Sequence, residues 1–171
     1  MKEKYVLSIK ADDRPGLVHL VTGIINRKLI PIESISAAKT DIHGVVMITI
    51  ELLVSEKALD SLVHKLENII EVYAVDAVKA SKSIAFRSAF FKLSKDFLET
   101  PQAQILNKYG ASIINHYQNA VLICKSGCDA DILNLYNQLE GPHLLGFIQT
   151  GLIADTVLID NDESSVISMA A

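Results

Sequence analysis

The chain has 171 residues, half of them hydrophobic, and 16 Lys and Arg against 20 Asp and Glu leave a formal net charge of -4. That balance offers no basic stripe for a phosphate backbone, and an aromatic content of 6% without Trp offers no stacking platform for single-stranded nucleic acid. The length suits two small domains of about 75 to 80 residues with aliphatic cores. The opening "MKEKYVLSIKADD" has too short an apolar run for a signal-peptide core, and no later run reaches the roughly 18 to 20 apolar residues of a membrane span. A soluble cytoplasmic protein without membrane partner is therefore expected, in which Cys124 and Cys128 are free thiols.

"YVLSIKA" alternates as a strand, with Tyr5, Leu7 and Ile9 on one face. From Leu17 the period becomes helical: Leu17, Leu20, Val21, Ile24, Ile25 and Leu29 form one wide apolar stripe, which Pro31 is expected to end. "IPIESISAAKTD" and "GVVMITIELLVS" predict two strands joined at "DIHG". "EKALDSLVHKLENII" predicts a helix burying Leu59, Leu62, Val63, Leu66, Ile69 and Ile70, and "VYAVDAVKA" closes the unit as a strand. The order βαββαβ is the ferredoxin-like arrangement. After the polar break "SKS" the order begins again: strand "IAFRSAFFKLS", helix "TPQAQILNKYG" between Pro101 and Gly110, hairpin "ASIINHYQN" to "AVLICKSG", helix "DADILNLYNQL", and a final strand region "LLGFIQTGLIADTVL". The fold class is thus α+β, two tandem ferredoxin-like βαββαβ domains over residues 1–80 and 84–158, with a flexible tail over 159–171.

Asp12-Asp13-Arg14-Pro15-Gly16 reads in two ways. It starts a helix, with Asp capping the exposed amides and Pro in the first turn. It also suits a small anion or an amino acid, because Gly16 lets a ligand approach the backbone where free N–H groups and the positive end of the dipole converge. Asp129 and Asp131 are expected to cap the helix that follows them. Glu33 reads as an exposed edge-strand charge. The five His residues show no metal-ligating spacing, the two Cys lack the second pair of a zinc ribbon, and no phosphate loop or nucleophile elbow is present. No metal site and no catalytic residues are predicted.

"DDRPGLVHLVTGIINRKL" running into "IPIESISAAKTD" resembles an ACT domain, the small ligand-binding module of amino-acid metabolism. The stretch from "PIESISAAKTDIHG" to "EVYAVDAV" is similar to the regulatory small subunit of acetohydroxyacid synthase (acetolactate synthase), and "LLGFIQTGLIADTV" extends the likeness to about residues 5 to 158. The resemblance implies a non-enzymatic protein. Such subunits activate a separate catalytic subunit, which holds thiamine diphosphate, Mg²⁺ and FAD, and confer feedback inhibition by valine or another branched-chain amino acid. The chain itself is then expected to bind no cofactor. In this family two ACT domains pair, and effector sites lie between the loop before the first helix of one chain and the turn after that helix of the other. Carried over, the effector-binding residues are Asp13, Gly16, Leu17 and Val18 in the loop with Pro31 and Ile32 in the turn.

Where the family usually has Asn in the loop this chain has Asp13, and where it usually has Asn before Ile-Glu-Ser it has Pro31. An ionised Asp only accepts hydrogen bonds and repels a carboxylate, though it can receive an ammonium, and Pro31 offers no backbone donor. Effector affinity is therefore expected to be altered or lost. A homodimer is expected through the second strand, whose "IESISAA" carries little charge to protect an edge. The competing readings are a free-standing tandem-ACT amino-acid sensor that regulates another enzyme or a transcriptional system, and a small acylphosphatase-like hydrolase, for which no Arg and Asn constellation is evident.

Overall fold

The computed structural model describes residues 1–154. The tail expected over 159–171, and the last residues of the second expected domain, lie outside them. The described residues divide into two compact units, Met1–Ala85 together with Gly151 to Ala154, and Phe86–Thr150.

In the first unit, β1 (Glu3–Asp12), α1 (Leu17–Arg27), β2 (Ile32–Lys39), β3 (Val45–Val54), α2 (Glu56–Glu67) and β4 (Val72–Lys79) follow one another in the βαββαβ order. The antiparallel sheet runs β2-β3-β1-β4, so β1 is central and β2 lies at an edge. Leu7 opposite Ile50 and Ile9 opposite Ile48 set the register that puts alternate β1 and β3 residues on one face. That face is closed by Leu17, Val21 and Ile25 of α1 and Leu59, Leu62 and Leu66 of α2. The helix stripes are narrower than the sequence suggests. Leu20 is 41% and Leu29 88% exposed, and Ile70, expected in the core, is 95% exposed because α2 has ended at Glu67.

α1 also stops before Pro31 can act. Its last residue is Arg27, and Leu29 takes the left-handed conformation at φ 54°, with the N–H groups of Lys28 and Leu29 reaching the Ile25 and Asn26 carbonyls. The chain thus turns out of the helix by a left-handed residue that is not glycine, and Pro31 lies in the connection beyond it.

The helix-free face of the sheet is also covered. Val6 and Ser8, expected to face away from the core, are each 1% exposed, and Val6 clusters with Leu152 and Ala154. By contact, the described residues from Gly151 to Ala154 accordingly fall with the first unit, although the sequence places them in the second domain expected over 84–158.

The second unit carries β5 (Ala85–Ser94), α3 (Gln104–Lys108), β6 (Ser112–His116), β7 (Ala120–Gly127), α4 (Asp129–Leu139) and β8 (Leu144–Gln149), with strand path β6-β7-β5-β8. Phe91 lies opposite Ile123 and Phe147, and packs with Leu93, Phe97, Leu106, Ile132 and Leu135. The helix expected from Thr100 is shorter than its sequence suggests: Pro101–Ala103 is a 3₁₀ turn and only Gln104–Lys108 is α-helical. Asp129 and Asp131 do not cap α4, whose N-cap is Cys128. Asp129 instead meets the buried Arg87 guanidinium through its Nε and Nη2.

Two glycines of the first unit predict opposite effects. A Cβ on Gly151 would lie 2.7 Å from the Ile35 backbone oxygen, whereas one on Gly23, inside α1, would meet nothing within 4 Å. Gly151→Ala should destabilise by about 1–3 kcal/mol through a backbone that must shift. Gly23→Ala should stabilise by about 0.5–1 kcal/mol through helix propensity. Thermal unfolding midpoints of the two variants should therefore move in opposite directions from the parent.

Candidate functional site

β1 delivers the loop Asp13 to Gly16 from the centre of the sheet, and three backbone hydrogen bonds hold its entry. The Asp12 N–H donates to the Glu71 carbonyl (2.9 Å), the Asp13 N–H to the Gly44 carbonyl (2.8 Å) and the Arg14 N–H to the Asp12 carbonyl (2.9 Å). The loop is thereby tied to the segments leading into both strands that flank β1. Gly16, at φ 88°, is the N-cap of α1, a conformation that costs a residue with a side chain far more than glycine. Neither Asp12 nor Asp13 caps the helix, contrary to the helix-start reading: α1 has no side-chain cap and no acidic residue in its first turn. Pro15 lies ahead of the first turn, which begins at Leu17.

The side chains of the loop are instead engaged with one another and with neighbouring strands. The Tyr73 hydroxyl on β4 donates to the Asp12 carboxylate, Arg14 lies 3.8 Å from Asp12 and 3.6 Å from Glu71, and the Lys39 ammonium at the end of β2 lies 3.4 Å from the Asp13 carboxylate. Arg14 and Lys39 are largely exposed, so these pairs orient the loop more than they stabilise the fold. The bond to Asp12, followed by burial and by the Asp12 charge, raises the Tyr73 phenol above its ordinary value of 10.0.

The carried-over residues fall in two groups. Asp13, Gly16 and Val18 are exposed around the loop, while the Leu17 side chain is 4% exposed in the core and only its backbone faces the loop. Pro31 is exposed and Ile32 packs against the core at the start of β2. One chain does not bring the two groups together. The 11 residues of α1 run between them, a length of about 16 Å at the usual helical rise. Sequence reasoning missed Tyr73, Glu71 and Lys39. The topology held the signal for the first two, since in a βαββαβ sheet the start of β4 lies beside the end of β1.

A cavity of about 390 Å³ lies on the helix-free face of the first sheet, where Ala38, Ile42, Met47, Ile153 and Ala154 meet Lys10, Ser36, Thr40, Asp41 and Thr49, and Lys39, the partner of Asp13, also lines it. Lys39 thus stands between this cavity and the loop, and the loop is where its ammonium, the Asp13 carboxylate and the uncapped N–H groups of α1 come together. Cys124 and Cys128 are free and half-buried. Among the described residues no group of three or more His, Cys, Asp or Glu could hold a metal ion, and no helix is long and apolar enough to cross a membrane.

Residues 4–76 match the family model described as the ACT domain. The first unit is an ACT domain. Beyond it, the chain is 22% identical over 153 residues to the acetolactate synthase small subunit of Mycolicibacterium smegmatis, covering 88% of this chain and 89% of that protein. The small subunit of Mycobacterium leprae is also 22% identical, over 151 residues, with the same coverage of each. The acetolactate synthase small subunit from Thermotoga maritima superimposes with a TM-score of 0.81 at 18% identity, covering 89% of this chain and 96% of that one. The shared fold extends through both halves, so the ACT domain is followed by a second ferredoxin-like domain in tandem.

The ACT-domain loop makes a titration prediction. Because the neutral phenol is the form that bonds Asp12, the Tyr73 contribution to stability is complete below the unfolded tyrosine pKa of about 10. It is lost as pH rises through the raised folded value. An ultraviolet difference titration of the parent against Tyr73→Phe should show the missing phenolate forming above the ordinary range, and Asp12→Asn should bring it back towards that range.

Proposed function

We propose that this protein is the non-catalytic regulatory subunit of an acetohydroxyacid (acetolactate) synthase, which activates a cytoplasmic catalytic subunit and mediates feedback by valine or another branched-chain amino acid. The observation that carries the reading is the likeness to acetolactate synthase small subunits along nearly the whole chain, in sequence and in fold. Thiamine diphosphate, Mg²⁺ and FAD belong on this reading to the catalytic partner. The chain's own residues bind and orient the effector: the first-turn N–H groups of α1 meet its carboxylate and Asp13 its ammonium.

The separation of the loop from Pro31 and Ile32 supports a site completed by a second copy. The edge strand β2 leaves Ile35, Ala37 and Ala38 exposed, and α1 leaves Val18, Leu20 and the following Leu29 exposed. A homodimer pairing β2 with β2 would satisfy the edge and bring the loop of one chain to the turn of the other.

Titrating the catalytic subunit of the same organism with this protein should give saturable activation of acetolactate formation, reduced by valine. Gly16→Asp should keep the activation and lose the valine response. No activation and no complex on a sizing column would favour a free-standing amino-acid sensor. Light scattering at micromolar concentration should give the mass of a dimer, and a monomer would remove the shared site.

A further inference from the structure

The ion pair between Asp13 and Lys39 is the part of the loop that the family resemblance does not account for. An isolated Asp13 carboxylate would be a poor neighbour for an amino acid: it accepts but cannot donate, and it repels the ligand's carboxylate. Lys39, from the last position of β2, places its ammonium 3.4 Å from that carboxylate, and neither group is buried, with side chains 83% and 40% exposed. Together they present an acceptor and a cluster of donors with no net charge. A neutral side-chain amide at position 13 would offer the same combination from one residue.

We propose that Lys39 is a specificity-determining residue of the effector loop, which pairs with Asp13 to select a zwitterionic α-amino acid over the corresponding amine or carboxylic acid. On binding, the ligand ammonium joins the Asp13 carboxylate and the ligand carboxylate joins the Lys39 ammonium and the first-turn N–H groups. An amine lacks the anion that Lys39 meets and must compete with Lys39 for Asp13. A simple carboxylic acid lacks the cation and faces Asp13 uncompensated. This selection rests on the loop being the effector site proposed above.

Calorimetric titration of the full-length protein with valine, with isobutylamine (valine without its carboxylate) and with isovalerate (valine without its amine) separates the two readings. The parent should bind valine at least about tenfold more tightly than either analogue, a factor of ten being about 1.4 kcal/mol. Lys39→Ala should weaken valine about tenfold or more and strengthen isobutylamine, since the amine no longer competes with an internal cation. Lys39→Arg should restore valine binding, and so should Asp13→Asn placed in the Lys39→Ala background, where the amide supplies both donor and acceptor. A purely structural role for Lys39 would move valine and isobutylamine in the same direction. That outcome, unchanged valine binding in Lys39→Ala, or failure of Asp13→Asn to recover it would each overturn the proposal. If the parent binds none of the three, the effector reading itself falls, and the Lys39 proposal with it.

Discussion

The N–H groups of Asp12 and Asp13 leave the end of β1 in different directions, one to the Glu71 carbonyl before β4 and the other to the Gly44 carbonyl before β3. The central strand is thus anchored to both neighbours at the point where it becomes a loop. Gly16 then turns the chain at φ 88° into a helix whose buried residues Leu17, Val21 and Ile25 lock it onto the sheet. The position of each loop group follows from those constraints. The loop behaves as a rim of the sheet, with its backbone fixed from two sides and its side chains left to choose partners at the surface.

A rim of this kind has one open direction. Within the first unit, the backbone is tied towards β3 and β4, and the core takes the Leu17 side chain. What remains available is the exposed flank with Gly16 and Val18 and the uncapped start of α1. The other carried-over residues lie a full helix away, at the beginning of an edge strand. If two halves at opposite ends of one helix form a single small site, a second copy must supply one of them, and a two-fold axis is the simplest way to exchange them. On the proposed reading the homodimer would therefore serve both ends at once, completing the site and covering the β2 edge.

The alternation of Tyr5, Leu7 and Ile9 and the helical spacing of Leu17, Val21 and Ile25 were enough to read the βαββαβ order, because burial on one face imposes a period. The limits of that reasoning appear where burial is not local. Val6 and Ser8 look solvent-facing by alternation, yet Leu152 and Ala154, nearly 150 positions later in the chain, cover that face. Leu29 and Ile70 continue an apolar period past the residue at which the backbone has already left the helix. At the candidate site the loop itself was legible from Asp13, Pro15 and Gly16, but the direction of its carboxylates was not. Asp beside a helix start reads as a cap, and here Tyr73, Arg14 and Lys39 compete for those oxygens and win. Local sequence carries the helix start; the competitors come from β4 and β2.

That competition bears on how such a loop can discriminate. Asp12 faces Tyr73 and Arg14, Arg14 also faces Glu71, and Asp13 faces Lys39, so three carboxylates share two cations and the rim keeps a single excess negative charge. With a screening length of about 8 Å at physiological salt, such paired charges project little field beyond the rim. The single excess charge, screened by solvent, draws a ligand only weakly, and recognition falls to contacts made at close range. On the proposed reading this suits a zwitterion, which is itself neutral at a distance and dipolar at contact. It also limits what binding can transmit: if effector occupancy weakens the complex with a catalytic subunit, formation of that complex must weaken occupancy by the same factor. On that reading the coupling must lie in contacts that differ between the free and occupied loop, and the exposed ion pairs of Asp13 and Arg14 are the groups there that can change partners while the backbone stays bonded to the Glu71 and Gly44 carbonyls.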